Sequence, residues 1–142
     1  MSAEIAGLLV RFVMPSDPRY LPVVRSTIGA LTKAAGWDES DSRAITLAID
    51  EAVANVIRHA YGNRRDGPIE LECRENADGL EVTMLDRGDP PDQSRICAPE
   101  PASDCPGGRG THIIREVMDS VSYQQTGSGN RFTASKRLRK KI

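Results

Sequence analysis

Two predicted β-hairpins limit most strongly what this chain can fold into. Residues 69–74 and 80–85 alternate between apolar and polar side chains and are joined by turn-forming residues at 76–79. Residues 120–125 and 131–138 repeat the arrangement around a turn at 127–130. Because a hairpin joins neighbouring antiparallel strands without a crossover helix, the pattern predicts a sheet that is mainly antiparallel.

The remaining elements complete a two-layer architecture. Residues 7–14 read as a first strand, and apolar residues at helical spacing predict helices that end near Gly36, by Gly62 and near Met118. Three helices cannot cover both faces of a five-stranded sheet that contains two hairpins. We therefore predict an α/β two-layer sandwich, with a mixed, mainly antiparallel sheet of five strands and three helices on one face.

Length and charge narrow the classes of function. A chain of 142 residues fits one domain spanning 1–142, and 39% hydrophobic with 27% charged residues is ordinary for a globular protein. The net charge of −1 gives no overall attraction to nucleic acid or to an anionic membrane. The sequence has one basic cluster, which consists of Lys136, Arg137, Arg139, Lys140 and Lys141. We interpret this cluster as a solvated tail, and DNA binding is the alternative.

The N-terminus has no signal-peptide pattern, and no apolar run is long enough to cross a bilayer, so we expect a cytoplasmic protein. Cys73, Cys97 and Cys105 lack the paired spacing of zinc sites and are interpreted as reduced thiols. Pairing of Cys97 with Cys105 under oxidising conditions is the alternative.

A polar ridge on the second helix is the first candidate site. Glu51, Asn55 and His59 are spaced by four residues, which returns each side chain to within about 40° of the one before. The ridge runs beside the apolar stripe of the helix, so it would face the edge of a cleft. The alternative is the ordinary solvated side of an amphipathic helix.

Two further motifs could contact a ligand. Asp86 and Gly88 end an apolar strand, where a carboxylate can accept hydrogen bonds from an amino group, although a simple strand-ending turn has the same composition. The glycines of 107–110 precede the third helix and would offer backbone N–H groups to a phosphate. Their alternative is a flexible loop that ends in a Thr111 N-cap. Between these motifs, residues 86–110 form a long candidate lid.

Taken together, these motifs resemble the ATPase domain shared by histidine kinases and type II topoisomerases, specifically its anti-sigma factor serine kinase branch. Residues 50–61 look like the asparagine-bearing helix of that branch, and residues 85–88 look like its adenine-binding strand end. Residues 107–119 are similar to its second glycine box, and residues 129–138 to its final strand. The resemblance covers nearly the whole chain and implies a Bergerat-type ATP-binding fold.

The resemblance also implies cofactors and residue roles. The cofactors are ATP and Mg²⁺, with Glu51 as the general base and Asn55 as the metal ligand. Asp86 would bind the adenine amino group, Gly88 would admit the ring, and Thr133 would add a hydrogen bond to the base. The remaining nucleotide-binding residues would be His59, Gly107, Gly108, Arg109, Gly110 and Thr111.

The implied function is that of an anti-sigma factor with Mg-ATP-dependent serine kinase activity toward an antagonist protein. Its partners would be a sigma factor and that anti-anti-sigma protein, with no direct contact to nucleic acid and none to a membrane. The main alternative is a nucleotide-gated binding module without phosphotransfer, which would need no base at Glu51. The sequence leaves open whether the first strand mediates a homodimer.

Overall fold

The structure, a computed structural model, describes residues 6–90 and 108–138, and for 108–111 it describes the backbone only. The strands are β1 (Leu8–Pro15), β2 (Pro68–Glu75), β3 (Gly79–Asp86), β4 (Ser120–Thr126) and β5 (Gly129–Arg137). The helices are α1 (Leu21–Ala34), α2 (Glu39–Asn55) and α3 (Gly108–Val117). A 3₁₀ turn (Pro18–Tyr20) precedes α1, and a π-helical turn (Val56–Ala60) extends α2.

The five strands form one sheet in the order β1-β2-β3-β5-β4. All four neighbouring pairs are antiparallel, including β3 with β5, which are not consecutive in the chain. This pairing places the end of β3 beside the start of β5, with Asp86 opposite Asn130. The predicted α/β fold with two hairpins is confirmed.

One face of the sheet and the inner sides of the helices share a single hydrophobic core. The stripe that α2 contributes is fully buried, as its spacing predicts, and consists of Ile45, Ala48, Ile49, Ala52 and Val53. Alternate residues of the central strands meet it, among them Leu71, Val82 and Phe132. The opposite sheet face carries charged and polar side chains, such as Arg11, whose Nη2 lies 3.0 Å from Glu72 Oε2.

The ends of the helices follow local rules. Asp38 caps α2 by accepting a hydrogen bond from the Asp41 N–H at 2.7 Å, and Gly36 takes the positive φ of +98° that ends the preceding helix. Predicted as one helix to residue 62, the second helix instead changes to a π-turn after Asn55. There the Tyr61 N–H donates to Val56 O, five residues earlier, at 3.0 Å.

The predictions for the basic tail, the cysteines and membrane-spanning segments can be compared with the structure. Lys136 is not part of a solvated tail, because its Nζ donates to the Val117 carbonyl at the end of α3, at 2.9 Å. Cys73 is a free, buried cysteine in β2, where burial raises its pKa to about 12, whereas Cys97 and Cys105 lie outside the described residues. Within the two described ranges, no helix combines the length and apolar character needed to span a membrane.

Candidate functional site

The C-terminal half of α2 presents the predicted polar ridge. Glu51 and Asn55 are half-buried and sit beside buried Ala52 and Ala54, so their side chains border the core without entering it. Both supply oxygen atoms, one from a carboxylate and one from a neutral amide. The structure therefore brings these two predicted residues together on one face of the helix.

Arg58 contacts both Glu51 and Asn55, and the sequence analysis gave it no role. Its Nη2 donates to Asn55 Oδ1 at 2.8 Å and approaches Glu51 Oε2 at 3.4 Å. The π-turn that begins at Val56 carries this arginine just beyond the end of α2. A cation thus already contacts both ridge oxygens, which fits a site whose acceptors attract positive charge.

His59 is the predicted ridge member for which the structure shows no contact with Glu51 or Asn55. Its side chain is exposed, and no hydrogen bond or ion pair joins it to any residue in 6–90 or 112–138.

Asp86 lies buried at the end of β3, and its carboxylate is held by two donors. The side-chain amide of Asn130 donates to Asp86 Oδ1 at 2.9 Å, and the Gly88 N–H donates to the same oxygen at 3.0 Å. Burial raises the pKa of Asp86, although both of these hydrogen bonds act to lower it. The carboxylate is therefore fixed in orientation by one of its two oxygens.

The other oxygen, Asp86 Oδ2, is the atom available to a ligand. It accepts no hydrogen bond from the described residues. Asp86 Oδ2 is also not fully enclosed by protein. Among the described residues, the one fully enclosed polar side-chain atom that has no hydrogen-bond partner is Arg115 Nε. A carboxylate oxygen in this position suits an amino group of a ligand, which is the chemistry of the adenine exocyclic nitrogen.

Asn130 organises the turn that follows Asp86, and the sequence analysis missed it. Its Nδ2 also reaches the carbonyl oxygens of Gly88 and Asp89, at 3.1 and 3.2 Å. Asn130 follows Gly129 at the start of β5, so in sequence it reads as a turn residue. The signal that could have found it is the β3–β5 register, which places it opposite Asp86.

Thr133, predicted to bind the base, does not lie at this site. It pairs with Thr83, and side chains alternate between faces along a strand, so it points to the face opposite Asp86 and Asn130. Asn130, Phe132 and Ala134 lie buried on the Asp86 face of β5, whereas Thr133 is half-buried on the other face. The structure therefore places Asn130, and not Thr133, beside the predicted adenine carboxylate.

Gly88 has a role inside the protein that is independent of a ligand. A Cβ atom at this position would lie 2.3 Å from the carbonyl oxygen of Ala60, well inside van der Waals contact. The next residue, Asp89, donates its N–H to that same oxygen at 2.8 Å. Glycine is thus required for the turn after β3 to approach the end of the second helix.

Tyr61 stabilises the same junction, which is the contact between the turn after β3 and the end of the second helix. Its hydroxyl donates to the Pro68 carbonyl at 2.6 Å and accepts from the Arg87 N–H at 2.7 Å. Desolvation raises the pKa of this buried phenol, so it stays a neutral donor and acceptor. Through these bonds and the Asp89–Ala60 bond, the Asp86 turn and the polar ridge belong to one connected structure.

The glycine-rich segment is partly described. Helix α3 begins at Gly108, so Gly108 and Gly110 belong to its first turn and not to a loop before it. The first N–H groups of a helix have no partner within the helix and can bind an anion. Gly107 and most of the predicted lid, residues 91–107, lie outside the described residues, as do the side chains of Arg109 and Thr111.

Comparison with known proteins decides the family. The model of the histidine kinase-like ATPase domain matches residues 14–136, which contain all of the site described above. The chain belongs to the histidine kinase-like ATPase family. The predicted resemblance is thereby confirmed, and the ridge of α2 and the Asp86 turn are parts of this ATPase domain.

Curated relatives of this family member are serine-protein kinases named RsbW. The chain is 27% identical to the one from Bacillus velezensis over 123 residues, covering 81% of this chain and 77% of the relative. It is 25% identical to the Bacillus subtilis protein with the same coverage, and 28% identical to the Listeria innocua protein over 116 residues, covering 76% and 74%. The predicted enzyme class is the one that these names carry.

Solved structures agree on the fold. A Mycobacterium tuberculosis protein with RsbU and RsbW domains superposes with a TM-score of 0.65 at 19% identity, covering 92% of this chain and 33% of that longer one. The histidine kinase domain of a blue-light-activated kinase from Erythrobacter litoralis gives 0.57 at 19% identity, covering 87% and 61%. At this identity the likeness concerns the fold alone.

Proposed function

We propose that this ATPase-family member is a Mg-ATP-dependent protein serine kinase that phosphorylates an antagonist protein and also binds a sigma factor. The observation that carries the proposal is the hydrogen bond that joins the turn after Asp86 to the end of the helix that carries the ridge. The Asp89 N–H bonds to Ala60 O at 2.8 Å, five residues after Asn55. A nucleotide whose base meets Asp86 can therefore extend its phosphates toward Glu51 and Asn55.

Adenine selection rests on Asp86. The exocyclic amino group of adenine would donate to the unpaired Oδ2, while Asn130 and the Gly88 N–H hold Oδ1. Guanine carries a carbonyl oxygen at the corresponding position, which would face the carboxylate oxygen and be repelled. The fixed carboxylate thus favours ATP over GTP.

The phosphate end combines α2 with the start of α3. Asn55 Oδ1 would be the protein's ligand to Mg²⁺, a hard cation that prefers oxygen and keeps waters and phosphate oxygens as other partners. When bound, the metal would neutralise charge on the phosphates. The backbone N–H groups of residues 108–110, at the N-terminus of α3, suit phosphate oxygens.

Glu51 would act as the general base. Its carboxylate, 33% exposed, can accept the proton of a serine hydroxyl as that oxygen attacks the terminal phosphorus and the bond to ADP breaks. The serine belongs to the antagonist protein. Binding of the sigma factor would depend on which nucleotide the chain holds. These two partners follow from the family resemblance, and the kinase activity is the one that the names of the curated relatives carry.

The test uses two substitutions on one helix face. Glu51→Gln keeps the size of the side chain and removes the base, so it should retain Mg-ATP binding and lose phosphotransfer by about 100-fold or more. Asn55→Ala removes the metal ligand and should weaken Mg-ATP binding itself. Radiolabelled phosphotransfer to a cognate partner, measured beside calorimetric ATP binding, separates the two effects.

Phosphotransfer by Glu51→Gln at the parental rate would contradict the kinase mechanism. If that variant and the parent both bound ATP and a partner without transferring phosphate, the chain would be a nucleotide-gated binding module. Failure of the parent to bind Mg-ATP at all would contradict both functions.

A further inference from the structure

Arg58 contacts both side chains to which the proposed function gives a role at the phosphates: Asn55, the metal ligand, and Glu51, the base. Its Nη2 donates to Asn55 Oδ1 at 2.8 Å and lies 3.4 Å from Glu51 Oε2. We infer that Arg58 is a resident cation that competes with Mg²⁺ for Asn55, and so sets the Mg²⁺ concentration at which ATP binds. This inference rests on the proposed ATP site and assigns a positioning residue that regulates it.

Charge repulsion is the reason that Arg58 and the metal exclude each other. A magnesium ion ligated by Asn55 Oδ1 would lie about 2.1 Å from that oxygen. The guanidinium nitrogen is 2.8 Å from the same atom, so the two cations would stand within about 5 Å of each other. Repulsion between the two cations at this distance favours departure of the guanidinium from Asn55 when the metal binds there.

The arrangement also permits Arg58 to leave. Its side chain is 47% exposed, and its ion-pair partner Glu51 is 33% exposed, so water can replace the contacts that are lost. Exposed pairs of this kind contribute little free energy. Competition should therefore shift the Mg²⁺ requirement by a small factor and not abolish binding.

Release of Arg58 would have a second consequence for the ridge. Glu51 loses a positive neighbour when the guanidinium moves away, and its carboxylate then becomes available to a substrate hydroxyl. Before the nucleotide arrives, Arg58 holds both the metal ligand and the base; afterwards neither is held. The same side chain thereby couples metal entry to exposure of the base.

The experiment compares Arg58→Gln with Arg43→Gln in the full chain. Both changes remove one positive charge from α2 or its extension, and Arg43 pairs with Glu39 at 3.5 Å, away from the site. Arg43 lies about 18 Å from Asn55 along the helix, calculated as 12 residues at 1.5 Å each. ATP binding is titrated by calorimetry across a series of Mg²⁺ concentrations, and also with EDTA.

Arg58→Gln should lower the Mg²⁺ concentration for half-maximal ATP binding by about two- to fivefold, with no gain in ATP affinity in EDTA. Arg43→Gln should match the parent at every Mg²⁺ concentration. A purely structural role for Arg58 would change the unfolding midpoint without moving the Mg²⁺ midpoint, so thermal unfolding is measured on the same samples.

Two outcomes would overturn the inference while leaving the proposed function in place. One is an unchanged Mg²⁺ midpoint in Arg58→Gln. The other is weaker ATP binding both with and without Mg²⁺, which would make Arg58 a phosphate ligand. Absence of Mg-ATP binding by the parent would overturn the proposed function as well.

Discussion

Asp86→Asn is the most informative single change in this protein, because it reverses the hydrogen-bonding character of one atom. In the parent, Asn130 and the Gly88 N–H both donate to Oδ1, and Oδ2 accepts no bond from the described residues. An asparagine can keep both bonds only by placing its own oxygen at the Oδ1 position. Its NH₂ group then occupies the place of Oδ2 and presents a donor to the adenine amino group, which is also a donor.

The size of the effect follows from the lost bond. A hydrogen bond to a charged group contributes about 1.5–3 kcal/mol, which corresponds to about a 10- to 150-fold change in affinity. Because the variant also sets two donors against each other, we expect the upper part of this range. GTP, which offers a carbonyl oxygen there, should lose less affinity than ATP or even gain some.

Calorimetric titration of ATP and GTP into the parent and the variant measures both effects. Asp89→Asn is the matched control, since it makes the same substitution in the same turn on an exposed side chain that has no hydrogen bond to the described residues, where the backbone alone is bonded. ATP affinity in Asp86→Asn equal to that of the parent would refute the role of Asp86 in base recognition. Equal losses for ATP and GTP would refute the donor–donor reasoning.

The same variant tests the buried charge by its pH dependence. Burial raises the pKa of Asp86 above its ordinary value of 3.8. Between 3.8 and the raised value the folded chain binds more protons than the unfolded chain, so this group destabilises the fold as pH rises through that window. Asparagine does not titrate, so Asp86→Asn does not lose stability in this window as the parent does. The free energy of unfolding of the variant, relative to that of the parent, should therefore increase from pH 4 to pH 7.

Two predictions concern the junction behind the site. Tyr61→Phe leaves the Arg87 N–H and the Pro68 carbonyl without their partner, so the free energy of unfolding, measured with urea, should fall by about 1–3 kcal/mol; an unchanged value would show that water replaces the hydroxyl. Gly88→Ala forces a Cβ atom to within 2.3 Å of Ala60 O and should cost about 1–3 kcal/mol together with a loss of ATP affinity. Gly127→Ala, whose Cβ meets nothing within 4 Å, is the control and should leave both quantities nearly unchanged.

The sequence predicts the elements of this fold well, because each depends on local patterns. Hairpin turns, the helical stripe and the glycine at position 36 act over a few residues, and the observed strands and helices follow them closely. What local patterns do not contain is the pairing of β3 with β5, which are separated by α3 and β4. The position of Asn130 beside Asp86 depends on that pairing.

This explains why Thr133 was assigned to the site and Asn130 was missed. Both lie on the final strand, and a family resemblance covers the strand without stating its register. A shift of one residue exchanges the two faces, and Asp86 opposite Asn130 leaves Thr133 on the wrong one. The predictions for Glu51, Asn55 and Asp86 depended less on register, since they lie on one helix face or at a strand end.

The π-turn at the end of α2 explains why distant motifs can act as one site. The carbonyl groups at a helix end lack partners within the helix and must be satisfied elsewhere. Here Val56 O accepts from Tyr61, Ile57 O accepts from Asn63, and Ala60 O is left to accept from Asp89 in the turn after β3. A regular α-helix would direct these carbonyls differently, because its bonds run four residues back and not five. The widened turn therefore provides the acceptor that docks the Asp86 turn and also carries Arg58, so the placement of Asp86 and the contacts at the ridge depend on the same five residues.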